Sequence, residues 1–120
     1  MTTILLVEDN KYLRLLFEQE LRLEGYEVMT AINGKDAIKK VQEQRPDIII
    51  MNLIMQDEAM SMILIKHKSI PIIIHTSQSD YKDNFMSWAA DAYVVKFSHL
   101  TELKNKIKGL RTKEKELVFV

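Results

Sequence analysis

The heptapeptide Pro46-Asp47-Ile48-Ile49-Ile50-Met51-Asn52 decides how the whole chain is read. Ile48 to Met51 is a short, unbroken apolar run, the pattern of a strand buried on both faces of a parallel sheet. It ends at a polar residue, Asn52, where such a strand emerges at its carboxyl end. In open α/β sheets the ligand crevice lies along those ends. The functional question therefore centres on Asn52.

Working outward, Ile4 to Val7 is a second run of strand length, closed by Glu8-Asp9-Asn10. Lys11 to Glu24 carries Leu13, Leu16, Phe17 and Leu21 at helical spacing, which predicts a helix with those four side chains inward. Asn10 is its expected N-cap and Gly25 its stop. Glu27 to Thr30 reads as a strand. Asn33-Gly34 is a turn signal leading into a helix near Lys35 to Gln44, packed through Ala37, Ile38 and Val41. Pro46 ends that helix, because the residue before a proline is pushed out of the α region.

Beyond Asn52 the pattern continues. Ala59, Met60, Ile63 and Leu64 form a helical stripe within Met55 to Lys68, a short segment in which Met55, Met60 and Met62 suit an irregular gap. Pro71 opens a fourth strand, Ile72 to His75, closed by Thr76-Ser77. Tyr81 to Ala90 reads as a helix burying Phe85 and Ala89, and Ala92 to Val95 as a fifth strand ending at Lys96. Ser98 is the expected cap of a last helix with Leu100, Leu103, Ile107 and Leu110 on one face. Residues 112–120 read either as an extension of that helix or as a tail that pairs with another chain.

Five strand–helix alternations with short connections predict one α/β domain over residues 1–120: a doubly wound parallel sheet with helices on both faces, the flavodoxin-like (βα)5 class. Right-handed crossovers bring the carboxyl ends of all strands to one edge. Glu8 and Asp9, Asn52, Thr76 and Ser77, and Lys96 then meet on one rim. Composition agrees with a soluble cytoplasmic domain. Apolar residues are 47% and charged residues 28% of the chain. Seventeen basic and seventeen acidic residues cancel, so neither a nucleic-acid footprint nor attraction to a membrane surface is expected. The absence of cysteine excludes disulfide and thiolate chemistry. Met1-Thr2-Thr3 has no basic region of a signal peptide, and no apolar run reaches membrane-spanning length. His67, His75 and His99 lack ligand spacing.

The chain resembles the receiver domain of two-component response regulators over nearly its whole length. Glu8-Asp9, Thr76-Ser77 and Tyr93-Val94-Val95-Lys96 carry the resemblance, supported by Asn33-Gly34 and Pro46-Asp47. It implies a signalling module rather than an enzyme. In that family an aspartate at the end of the third strand accepts a phosphoryl group, and Mg²⁺ bridges the acids and phosphoryl oxygens. By position, the resemblance makes Glu8, Asp9 and the carbonyl of Ile54 metal ligands. Thr76 becomes the switch hydroxyl, Tyr93 the switch aromatic and Lys96 the phosphate partner. It also implies a protein partner: a histidine kinase, another signalling domain or a second copy, docking on the face of the fourth helix, fifth strand and fifth helix.

The acceptor position itself holds Asn52. A neutral amide cannot form an acyl phosphate as a carboxylate does. It also removes a negative charge, so Mg²⁺ is expected to bind more weakly, although the amide oxygen can still coordinate. Other departures cluster nearby. Gln56-Asp57-Glu58-Ala59 replaces a proline and glycine-containing loop, and the span from Asn52 to Thr76 is short. Phe97 follows Lys96 where the family has a cis proline, so this peptide is expected to be trans. Ala89 stands where a glycine often ends the fourth helix. These point to a pseudo-receiver. Two alternatives stand beside it: an ordinary Mg²⁺-dependent regulator with an introduced Asp-to-Asn change at 52, and a flavodoxin-like flavin carrier. Against the last, Glu8-Asp9-Asn10 repels a phosphate where that function needs a Gly/Ser/Thr-rich loop.

Overall fold

The computed structural model describes residues 1–51, 66, 69–76, 92–95 and 102–110. Five strands form a single parallel sheet: β1 (Thr3–Val7), β2 (Glu27–Ala31), β3 (Ile48–Met51), β4 (Ile72–Thr76) and β5 (Ala92–Val95), in the order β2-β1-β3-β4-β5. Helix α1 (Lys11–Leu23) links β1 to β2, and α2 (Gly34–Glu43) links β2 to β3. Residues 102–110 are also helical.

The unbroken apolar runs have a direct cause. Successive strand side chains point to opposite faces, and here both faces are covered. Leu5, Val7, Ile49, Met51, Ile72 and Ile74 pack on one side with Ala37 and Val41 of α2. Ile4, Leu6, Ile48, Ile50 and Ile73 pack on the other with Phe17 and Leu21 of α1 and Leu103 and Ile107 of the 102–110 helix. Each such burial contributes about 1.5–3 kcal/mol, so neither face tolerates a polar residue in the central strands.

The helix ends follow their local chemistry. Asn10 caps α1, its Oδ1 accepting from the Leu13 amide at 3.0 Å. Gly25 ends α1 in the left-handed region at φ +92°. Its amide donates to the Arg22 carbonyl at 3.0 Å, and the Tyr26 amide to the Leu21 carbonyl at 3.3 Å, a Schellman closure. Asn33 caps α2 by accepting from the Asp36 amide at 2.8 Å, while the Asp36 carboxylate accepts from the Ile32 amide at 3.1 Å. Gly34 is therefore the first helical residue, one earlier than the sequence suggested. Asp47 pins the start of β3 to β1: its Oδ2 accepts from the Thr3 amide at 2.7 Å, and its own amide donates to the Thr3 carbonyl at 2.8 Å.

One expectation is corrected. Leu16 is 48% exposed and lies with Tyr12, Leu15 and Leu23 on the outer side of α1. Leu13, Phe17 and Leu21, four residues apart, define the inward face, and Leu16 lies about 100° around the helix from Phe17. Strands β1, β2 and β4 also run one residue beyond the expected limits. The expected helices over Met55 to Lys68 and Tyr81 to Ala90, the Ser98 cap, the Lys96–Phe97 peptide and the tail 112–120 lie outside the described residues, Lys66 apart.

Candidate functional site at the switch point of the sheet

Strand order fixes where the site lies. The chain leaves β1 toward β2 on one side, then crosses back to β3 on the other, so the winding reverses between β1 and β3. In doubly wound sheets, ligands bind outside the strand ends at that reversal. Val7 and Met51, the last residues of these two strands, are paired in register. The row continues through Ile74 and Tyr93 on one side and Ala31 on the other. Glu8 follows Val7 and Asn52 follows Met51 in the sequence. The two positions that decide the chemistry thus come directly after the central paired strands.

The Glu8 amide extends the ladder by donating to the Ala31 carbonyl at 3.0 Å. Its side chain turns inward, only 1% exposed, and one carboxylate oxygen accepts from the Asn10 amide at 3.1 Å. Asp9 stays exposed beside it. A buried and an exposed carboxylate on consecutive residues form a hard-oxygen donor pair suited to Mg²⁺.

Arg14 completes this corner, and the sequence reading missed it. Its Nη1 donates to the Glu8 carbonyl at 2.9 Å and, at the longer distance of 3.5 Å, to the Asp9 carbonyl. A signal was present: α1 carries no acid in its first turn but Lys11 and Arg14 near its start. Cations there oppose the helix macrodipole, so such a residue calls for another reason to be present.

The remaining expected residues divide. The backbones of Thr76, the last residue of β4, and Tyr93 in β5 lie on adjacent strands, Thr76 paired with Val95 and Tyr93 with Ile74. Thr76 is on the rim, as expected, and Tyr93 is level with Met51, one row beneath the Glu8 level. Asn52, Ile54 and Lys96, and the side chains of Thr76 and Tyr93, lie outside the described residues. Among the described residues no group of three or more His, Cys, Asp or Glu side chains converges. No described helix is long and apolar enough to cross a membrane.

The family model of the response regulator receiver domain matches residues 4–108. The chain belongs to that family. Among solved structures, TrrA from Thermotoga maritima in complex with Mg(2+)-BeF is 41% identical. The match covers 92% of this receiver domain and 99% of TrrA, with a TM-score of 0.85. TrrA in complex with histidine kinase ThkA matches with a TM-score of 0.82 at the same identity, over 92% of this receiver domain and 98% of that chain. Histidine kinase P4 of Formosa agariphila is 37% identical over 117 residues, 91% of this receiver domain and 8% of the kinase. The probable transcriptional regulator ycf27 of Cyanophora paradoxa is 33% identical over 112 residues, covering 89% and 47%. The receiver domain thus spans less than half the length of these two curated relatives.

Proposed function

We propose that this receiver domain works as a protein-binding module of two-component signalling and is not phosphorylated at the usual position. One observation carries the reading. The acid pair Glu8 and Asp9 is delivered to the switch point, yet the residue after β3 is Asn52, an amide with no carboxylate to attack a phosphoryl donor.

The donor set fits Mg²⁺. Glu8 and Asp9 would hold it, with the Asn52 amide oxygen and the Ile54 carbonyl as the further ligands. One fewer negative charge than a triple-carboxylate site makes the affinity weaker. When bound, the ion supplies charge neutralisation for an anion on the rim. Thr76, Tyr93 and Lys96 are the residues that respond to such an anion: a hydroxyl that donates to it, an aromatic ring that moves with the hydroxyl, and a point charge. The protein is no enzyme in this reading and works in the cytoplasm. Its partner is a histidine kinase, another signalling domain or a second copy, and the TrrA–ThkA complex supports the first of these. The docking face is the fourth helix, β5 and the fifth helix. Of this face, the 102–110 helix exposes Glu102, Asn105, Lys106 and Lys108.

An amide NMR titration with Mg²⁺ and then beryllofluoride tests the proposal. Wild type is expected to show weak Mg²⁺ shifts and no beryllofluoride response, and Asn52→Asp to respond at Thr76, Tyr93 and Lys96. A stoichiometric beryllofluoride or phosphoryl adduct on wild type would overturn it.

A further inference from the structure

Glu8 and Asp9 sit on a loop of three residues between β1 and α1, and a metal ligand on a short loop works only if the loop is held. Its backbone is tied through the Glu8 amide on Ala31 and the Asn10 amide on the Glu8 carboxylate, and Asn10 is tied to the start of α1. A side chain adds to these ties. We infer that Arg14 is a positioning residue for the cation site, fixing the Glu8–Asp9 backbone through its guanidinium.

Arg14 lies in the first turns of α1, where its own amide donates to the Asn10 carbonyl at 2.9 Å. The side chain folds back over the N-cap to reach both carbonyls of the acid pair. Both bonds leave one nitrogen, Nη1, whose two N–H groups are held in the plane of a rigid guanidinium. An ammonium also has donors for two acceptors but carries them on a shorter stem and in no fixed plane. The position also works against the helix. A cation near the helix N-terminus is unfavourable, and the first turn has no acid to offset it. A residue kept for helix stability would be acidic there. Tying down the two carbonyls is a role that a guanidinium fills and a carboxylate cannot. The same group links α1 to the acid pair, so a shift of α1 moves Glu8 and Asp9.

Two roles for Arg14 make opposite predictions. As a mere positive charge near the acids it weakens Mg²⁺ binding, so its loss tightens binding. As a positioning group its loss loosens the loop and weakens binding, whether or not charge is retained. The metal arm rests on the reading of Glu8 and Asp9 as a cation site; the loop arm does not.

The experiment places Arg14→Gln and Arg14→Lys in both wild type and Asn52→Asp. It follows Mg²⁺ by amide shifts and, without metal, hydrogen exchange at the Asn10 amide. Both substitutions are expected to weaken Mg²⁺ binding, on the order of tenfold, and to speed Asn10 exchange several-fold. Phe17 and Leu21 amides keep their protection, and thermal stability of Arg14→Gln holds or rises as the dipole conflict is relieved. Tighter Mg²⁺ binding in Arg14→Gln with none lost in Arg14→Lys, or unchanged Asn10 exchange in both, would overturn the inference. If Asn52→Asp with Arg14 intact takes up no Mg²⁺, the cation-site reading fails, and the exchange measurement still decides the role of Arg14.

Discussion

At the residue scale the decisive contrast is between the residues that follow two paired strands in the sequence, a buried carboxylate at Glu8 after Val7 and an amide at position 52 after Met51. A carboxylate can attack a phosphorus centre and carry the product as an acyl phosphate; an amide cannot. With acetyl phosphate and Mg²⁺, intact mass is therefore expected to stay unchanged for wild type and to show a phosphoryl adduct for Asn52→Asp. An adduct on both would move the acceptor to another residue. Asp47 offers a second residue-scale test of a different kind. Its carboxylate accepts from the Thr3 amide at 2.7 Å while its backbone pairs with the same residue. Hydrogen bonds to charged groups are worth about 1.5–3 kcal/mol, and this part-buried one, accepted by an exposed aspartate, belongs at the low end or below. Asp47→Ala should cost about 1 kcal/mol in urea unfolding with an unchanged m-value. A cost below about 0.3 kcal/mol would mean that the β1–β3 ladder alone sets the register.

At the element scale, the two described glycines outside α2 make opposite predictions. Gly25 has φ +92° at the close of α1, where any Cβ is strained although open space surrounds it. Gly109 lies within the 102–110 helix, with open space where an alanine methyl would stand. Gly25→Ala should lower stability by about 1 kcal/mol, and Gly109→Ala should raise it by up to about 1 kcal/mol. Equal shifts in thermal melts would refute the assignment of the α1 closure. These elements also show what could be read in advance. The strands were legible because burial on both faces leaves only apolar residues in Ile4 to Val7, Ile48 to Met51 and Ile72 to Ile74. The caps were legible because Asn10 and Gly25 do jobs few other residues do. Leu16 misled because α1 has more leucines than its buried arc can hold. The acid pair was found from its place after an apolar strand. Arg14 was not, because its bonds reach back across the N-cap to backbone carbonyls, and carbonyls carry no mark in a sequence.

At the scale of the whole molecule, the face of the sheet that carries α1 is closed by a long-range pairing: α1 and the 102–110 helix share one apolar layer and are joined at their surface by Lys104. The Lys104 ammonium lies 3.0 Å from Glu24 and 3.4 Å from Glu20. The hydrogen bond and charge of Lys104 hold the Glu24 carboxyl below its ordinary value of 4.5. The same bond to Glu24 is the main cause that raises the Lys104 ammonium above its ordinary 10.5; desolvation comes next and opposes it, and the bond to Glu20 and the charges of both carboxylates raise it further. The signs follow by linkage. A carboxyl lowered in the folded state stabilises it above the ordinary carboxylate range, and that contribution disappears as pH falls through the lowered value. An ammonium raised in the folded state stabilises it below its ordinary value, and that contribution disappears as pH rises through the raised one. The pair therefore supports the fold over the whole neutral range and fails at both extremes. Solvent and salt screen it, so the effect is small and weakens as ionic strength rises. Lys104→Met tests this directly, since the long apolar stem is kept and only the charge goes. Its melting temperature should fall below wild type near neutral pH, with the gap closing in strong acid and in added salt. A gap that persists unchanged in acid would mean that the ion pairs with Glu20 and Glu24 are not what Lys104 contributes. The union of α1 with the 102–110 helix would then rest on the apolar layer of Phe17, Leu21, Leu103 and Ile107 alone.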